Sequence, residues 1–526
     1  MRKMLCGILT GALVLCAAAG CSQAPLSSTT SGQENPQPPT EISVGFWNVE
    51  ECLVGDAVQQ YIEAKFNVRF VPVSFNYDNY PQRLQQMAAN DNLPDIFAHD
   101  IYGSSAYESW ISHNKVRALP KDLTAYPNLA AYLDQPYCER FMRTDGRYYA
   151  IPRLTYSEEE SWVVDRCLVA RKDWMEKLGL GLPESWEEYV ELLRQFTEGD
   201  PDGDGQHNTV GMTCTHLNTL EAVYLSLFPE LSNTERGWMY ENDRWIPVYM
   251  SEKTGPALEA MRDLYHQGLL DPNFAYISTN EAIESFIEGQ VGVIASQYHG
   301  IIKEMRAQGY SDDEIQRRVC ILPPWPAADG QRYRFTTSLH WSESYFGANV
   351  SEEKMAKILK IYDWLLTDEF EEIRNYGLPG EDYCKAKDGS VQVLDEKQYA
   401  LGKYPSLTVF GSLAEWNQDG LYAKTPGNFL NYGQQNVEAA RAYREWSRNN
   451  TVRVNYNFSI IFLSTPAKNN LIANRDVQSE MVKVILGEEN AVTAWPKALE
   501  RLRGITPLDE AVAEVTALAK EMGVKP

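Results

Sequence analysis

A chain of 526 residues is long enough for several domains at roughly 150 residues each. With 44% hydrophobic and 23% charged residues it has the composition of a folded protein, not a disordered one. Its net charge of −24 excludes broad nucleic-acid binding, which needs basic surface to displace counterions, and docking on anionic lipid through a basic patch.

Residues 1–20 read as an export signal. Arg2 and Lys3 form a positive end, and Ile8 to Ala19 is an apolar run shorter than the ~20 residues a spanning helix needs. Ala18-Ala19-Gly20 puts small residues directly before Cys21. This resembles the bacterial lipobox, with Ala18 where that pattern prefers Leu, and implies lipidation at Cys21. Residues 21–40 are Ser, Thr, Pro and Gln with almost no apolar side chains, the composition of a flexible tether. Signal, tether and anchor together predict an extracellular protein held on the cell membrane.

The body begins with strand and helix in alternation. Ile42 to Trp47 and Val68 to Val73 read as strands, Asp56 to Phe66 and Tyr80 to Ala89 as helices, and Asp95 to Ala98 as a third strand. That order predicts βαβ units and a mainly parallel sheet, with ligands bound beyond the strand carboxyl ends at Trp47-Asn48 and His99-Asp100. A second run of elements starts near Trp162. Ser185 and Glu188 form a capping box opening a helix from Trp186 to Phe196. Val291 to Ala295 reads as a strand. Further helices are predicted at 255–266, 281–288, 352–366 and 434–446, and three amphipathic ones from Arg475 to Met522.

Sequence motifs for catalysis are missing. G-x-S-x-G, P-loop, G-x-G-x-x-G and H-E-x-x-H do not occur, and the seven histidines are scattered. The cysteines beyond Cys21 (Cys52, Cys138, Cys167, Cys214, Cys320 and Cys384) have no zinc or redox spacing. Their wide separation leaves buried thiols and bridges both open.

One segment has metal-ligand spacing. In Asp200-Pro201-Asp202-Gly203-Asp204-Gly205-Gln206-His207-Asn208, acids stand at positions 1, 3 and 5 and Gly at 6, as in an EF-hand loop. Alternate residues of a tight turn converge there, so Asp200, Asp202, Asp204, the Gln206 carbonyl and Asn208 are the predicted ligands of a structural Ca2+. Position 12 is Gly211, where an EF-hand has Glu, and a polar Asx-rich turn is the competing reading. Aromatics give a second cue. There are 13 Trp and 30 Tyr, which need either a core or a ligand. Trp47, Trp325, Trp341 and Trp416 fall at strand ends or loops, where a ring can stack on a sugar face.

The chain resembles the extracellular solute-binding proteins of carbohydrate ABC importers, with the type II periplasmic-binding fold. Leu93-Pro94-Asp95-Ile96-Phe97-Ala98-His99-Asp100 is close to the PDI…AHD stretch of maltodextrin-binding proteins. Gly146-Arg147-Tyr148-Tyr149-Ala150-Ile151-Pro152 is similar to their crossover segment. Arg171 to Gly179, Pro183, and Ser185-Trp186-Glu187-Glu188-Tyr189 match the large Gram-positive lipoprotein subgroup, in which a D-P-D-G-N-G loop follows.

The resemblance implies an α/β protein of two lobes, each a mainly parallel sheet flanked by helices, with extra helices at the C-terminus. Lobe one is expected at 41–153 plus 325–375, and lobe two at 154–324 plus 376–526. It further implies a monomer that is not an enzyme, closing on an oligosaccharide and passing it to ABC permease subunits. Asp100 would bind sugar hydroxyls beside His99, with Phe97 and Trp47 as stacking platforms, and Tyr298 and His299 would come from the second lobe. A secreted glycoside hydrolase and a non-transport glycan-binding surface lipoprotein are the competing readings of the same residues.

Overall fold

The computed structural model describes residues 38–75, 79–234, 237–394, 400–416, 426–472 and 474–526. The signal segment, Cys21 and all but the last residues of the tether lie outside the described residues. Fifteen strands are introduced in chain order. The first four are β1 (Thr40–Trp47), β2 (Val68–Phe75), β3 (Ile96–His99) and β4 (Ile151–Leu154). Then come β5 (Cys167–Arg171), β6 (Val210–Cys214), β7 (Trp238–Glu241), β8 (Arg244–Pro247), β9 (Val291–Ser296) and β10 (Val319–Leu322). The last are β11 (Tyr333–Arg334), β12 (His340–Phe346), β13 (Tyr383–Lys385), β14 (Val391–Val393) and β15 (Val452–Arg453).

Two sheets carry the fold. The first has the order β2-β1-β3-β12-β4 and the second β10-β5-β9-β6. As expected, each sheet is mainly parallel, and one reversed strand in each makes it mixed. β1 runs parallel to β2 and β3, but β12 is antiparallel to both β3 and β4. In the second sheet β5 is the reversed strand, antiparallel to both β10 and β9, while β6 and β9 pair in parallel. The physical reason is the chain's route: β12 arrives from the other lobe, and a strand entering from there can join its sheet in the reverse direction.

Local chemistry fixes the helices around these sheets. Asp56 caps the helix Ala57–Phe66, and Asn67, in the left-handed region, ends it and turns the chain into β2. Ser185, Ser278 and Ser351 accept hydrogen bonds from the first turns of the helices Trp186–Glu198, Thr279–Ile287 and Glu352–Leu365. The C-terminus forms three helices, Asn474–Leu486, Ala491–Arg503 and Leu508–Glu521.

The cores divide the chain differently from the expected lobe ranges. Ile42, Val44 and Phe46 of β1 pack with Phe346, Tyr362, Leu407 and Phe410, so residues up to about Ala414 belong with the first sheet. Trp325 and Phe335 instead pack with Trp174, Tyr189 and Phe196 of the second. Two crossing segments meet where the Thr155 N–H donates to the Leu339 carbonyl at 2.8 Å. The hairpin β7-β8 packs with Ile460, Leu463 and the helix Leu508–Glu521 in a separate cluster. Six described cysteines are all free, and Cys138, Cys167 and Cys214 are buried. Among the described residues no helix is long and apolar enough to cross a membrane.

Candidate functional site

Parallel β1 and β3 end together, and antiparallel β12 begins at that same edge, with Glu343 opposite His99. This places Trp47, Asp100 and Trp341 side by side although they are far apart in the chain. The Trp341 ring lies 4.9 Å from that of Trp47 at 61°, and 5.3 Å from that of Trp416 at 57°. Trp416 is held by its own N–H, which donates to the Leu154 carbonyl at 2.9 Å. Trp47 and Trp416 are half-buried and Trp341 is 9% exposed. Trp47 touches both main cores, and Trp341 clusters with residues of the second. The tryptophan row therefore sits between the sheets.

Polar groups flank the row. Asp100 accepts a hydrogen bond from the Tyr80 hydroxyl at 2.8 Å, and Tyr80 lies 5.7 Å from Trp47. The Asp100 N–H donates to His99 Nδ1 at 2.9 Å, and the same ring nitrogen lies 3.1 Å from Asp100 Oδ1. His99 itself is buried. Behind Trp47 stands Arg153, 1% exposed, with its guanidinium 5.3 Å from that ring. It donates to Ser342 Oγ at 2.5 Å and to the Ser412 carbonyl at 2.5 Å, while Nη2 has no hydrogen-bond partner. Burial pushes its pKa down to about 10. A buried guanidinium this close to an indole makes a cation–π contact that fixes the ring.

Three expected ligand residues are placed elsewhere. Phe97 is fully buried and stacked on Tyr345 at 5.6 Å, because β3 is a central strand covered on both faces. Trp325 is 2% exposed and stacked on Tyr189 at 4.7 Å in the second core. Tyr298 is buried, its hydroxyl accepting from Gln316 Nε2 at 3.2 Å, and burial pushes its phenol up. None of the three offers a ring to a ligand. His299, the next residue, has Nδ1 3.4 Å from Asp165 Oδ1.

Asp165 is the group that sequence reasoning missed. It is fully buried at the carboxyl edge of β9, just before β5, and among the described residues neither carboxylate oxygen has a hydrogen-bond donor. His216, which follows β6 at the same edge, is pushed down to about 4 by burial and by the charge of Arg166. Arg153 and Tyr80 were likewise unremarked. Their only sequence signal is position: each stands within a few residues of a strand or helix end facing the same edge.

The Asp200 loop is built as its spacing requires. Carboxylate oxygens of Asp200, Asp202 and Asp204 all lie within 4.8 Å of one another. Gly205 has φ 76°, which permits the bend at position 6. Asp200 accepts from the Gly203 and Gly205 N–H groups at 3.0 and 3.3 Å, and Asp204 from Gln206 N–H at 2.7 Å and Asn208 Nδ2 at 2.9 Å. Desolvation raises the Asp200 carboxyl, but hydrogen bonds from Gly205, Asp202 and Gly203 hold it below the usual carboxylate range. Gly211 lies in β6, so position 12 supplies no side chain. The donor set, all hard oxygens, fits a divalent cation of the calcium type. A different feature, an open cavity of about 390 Å³ lined by Arg117, Lys121 and Arg147, lies at the far end of the first sheet.

Two α/β lobes with separate cores, and an aromatic and polar row between them, define a binding protein that holds its ligand in a cleft. The bacterial extracellular solute-binding protein model matches residues 56–357, more than half of the chain, and the chain belongs to that family. Its members are binding proteins, not enzymes. Lipoprotein LipO of Bacillus subtilis (strain 168) is 23% identical over 416 residues, spanning 76% of this chain and 77% of LipO. The alginate-binding protein AlgQ2, solved without calcium ion, has a TM-score of 0.69 at 16% identity, covering 91% of this chain and 97% of AlgQ2. S. pneumoniae FusA, an ABC-transporter substrate-binding protein in complex with kestose, has a TM-score of 0.67 at 15% identity, covering 92% and 100%. An EF-hand mutant of FusA in complex with fructo-nystose gives the same score at 16% identity, covering 92% and 99%. At these identities the solved structures establish the fold.

Proposed function

We propose that this protein captures an oligosaccharide between its lobes and hands it to the permease subunits of an ABC importer. The observation that carries the reading is the row of Trp47, Trp341 and Trp416 between the two cores. Rings of this kind stack on the apolar faces of sugars, while Asp100 and Tyr80 on one lobe and Asp165 with His299 on the other supply groups for hydroxyls. The sugar ligands of AlgQ2 and FusA support the class.

Binding works through hinge closure. A ligand touching both lobes shifts the open–closed equilibrium by its differential affinity for the closed form, and no bond is made or broken. Lipidation at Cys21 would hold the protein as a monomer on the outer face of the membrane. In this reading the Asp200 loop takes a structural Ca2+ through Asp200, Asp202 and Asp204, with Gln206 and Asn208 completing the shell. The EF-hand named in FusA supports it.

Titration calorimetry against a panel of neutral and uronate oligosaccharides tests the proposal. Saturable heat with at least one glycan is expected, lost in Trp341→Ala. Binding to peptides with none to any glycan would sink the sugar assignment.

A further inference from the structure

The turn Phe458–Phe462 is joined to the second core by Phe458, which is buried in it, and to the neighbouring β7-β8 cluster. Ile460 and Leu463 are buried with Trp238, Trp245, Val512 and Val515. Its backbone is fixed by Lys468, whose fully buried ammonium donates to the carbonyls of Ile460, Ile461 and Leu463 at 2.8, 2.9 and 2.6 Å. All three donors of the ammonium are thereby used. Burial drives that group down to about 7.

Phe462 points the other way. It packs against the first core. Its ring meets Tyr137 at 5.4 Å and 83°, Phe141 at 5.5 Å and 82°, and Tyr102 at 5.9 Å. The Arg140 guanidinium lies over it at 5.2 Å. Gly103, at φ 74°, lets the backbones close up, since a Cβ there would stand 3.2 Å from the Ile461 carbonyl oxygen.

This aromatic box is wired to the tryptophan row. The Tyr137 hydroxyl lies 2.8 Å from His340 Nδ1, and the Phe141 ring meets that imidazole edge-on at 4.9 Å. His340 Nε2 is 3.1 Å from Glu343 Oε1, and Glu343 Oε2 accepts the Tyr102 N–H at 3.2 Å. His340 is the residue before Trp341.

We propose that Phe462 is an interlobe latch: a ring on a rigid turn of lobe two that seats in the Tyr102–Tyr137–Phe141 box and sets how far the lobes stand apart before any ligand binds. The box changes shape with the first residues of β12, so a ligand stacked on Trp341 acts on the latch through His340. The inference rests on the two-lobed fold and not on the sugar assignment.

Small-angle scattering of the protein without ligand tests it. Edge-to-face pairs and a cation over the ring hold the latch, so Phe462→Ala should move the closed-to-open ratio about tenfold toward open. The expected readout is a larger radius of gyration and faster hydrogen exchange at the Tyr102 amide, with near-UV circular dichroism retained. Arg140 is exposed, so Arg140→Gln keeps the fold and should shift both readouts less, in the same direction. Scattering curves identical to wild type for both variants would overturn the proposal, as would Phe462→Ala changing stability alone. Should Phe462→Ala fail to fold, Arg140→Gln and Phe462→Leu decide on the same two readouts.

Discussion

Replacing Asp95 with alanine should destabilise the first lobe by about 4 kcal/mol. The residue stands in the family-like Pro94-Asp95-Ile96 stretch, yet its carboxylate faces the scaffold. It accepts from the Ser43 N–H at 2.7 Å and the Ser43 hydroxyl at 2.9 Å, and it pairs with Lys354 Nζ at 2.9 and 3.0 Å. One side chain thus ties β1, the start of β3 and the helix Glu352–Leu365 together. Its side chain is 15% exposed and that of Lys354 28%, so water screens the ion pair only in part. Two hydrogen bonds to a charged acceptor at about 1.5 kcal/mol each, and an ion pair near 1, give the total. Urea unfolding followed by circular dichroism measures it, with the slope unchanged and the midpoint lowered. Asp95→Asn keeps one acceptor and should lose about half as much. A loss within about 0.5 kcal/mol, the size of an ordinary surface change, would refute the argument. So would an unaltered exchange rate at the Ser43 amide.

Trp416→Ala should weaken binding of whichever oligosaccharide titrates by about tenfold, because one stacking face is lost, and Trp416→Phe should recover most of it. EDTA should lower the melting temperature. A loop holding calcium at a hundredfold excess over its Kd gains about 2.7 kcal/mol, and Asp202→Ala should melt alike with and without chelator. His216 gives a pH test: the unfolded ring takes its proton near pH 6.5 and the native one only near 4. The unfolded state therefore binds more protons in that window, and stability falls by up to about 3 kcal/mol as pH drops through it. His216→Gln should flatten that slope between pH 6.5 and 4, and an equally steep variant would show that another group sets it.

Helices were readable because their ends carry local chemistry. Asp56, Ser185 and Ser351 announce their own caps, and the β1-to-β3 order follows from alternation of strand and helix. The reversal of β12 was not readable, since it pairs with a strand some 240 residues earlier and nothing local states which way it runs. Within the site the same division holds. Trp47, Asp100, Trp341 and Trp416 stand at element ends, where position alone argues for exposure toward an edge, and they are brought close. Phe97 looked equally well placed, but a central strand hides both faces and alternation says nothing there. Trp325, in a proline-rich loop, looked exposed until its stacking partner Tyr189 came from a helix far earlier in the chain. Asp165 and Arg153 gave no cue because their meaning lies in burial, which depends on partners far along the chain such as His299, Ser342 and Ser412.

The free thiols have a consequence for how the lobes are joined. Burial pushes Cys138 and Cys214 up to about 12 and Cys320 to about 11, and raises Cys52 and Cys167 as well. A thiol so far above ambient pH is almost never a thiolate, and the thiolate is what oxidants and disulfides attack. In the folded protein the buried thiols are therefore weak nucleophiles. Among the described residues no disulfide ties one lobe to the other, and the backbone is their covalent connection.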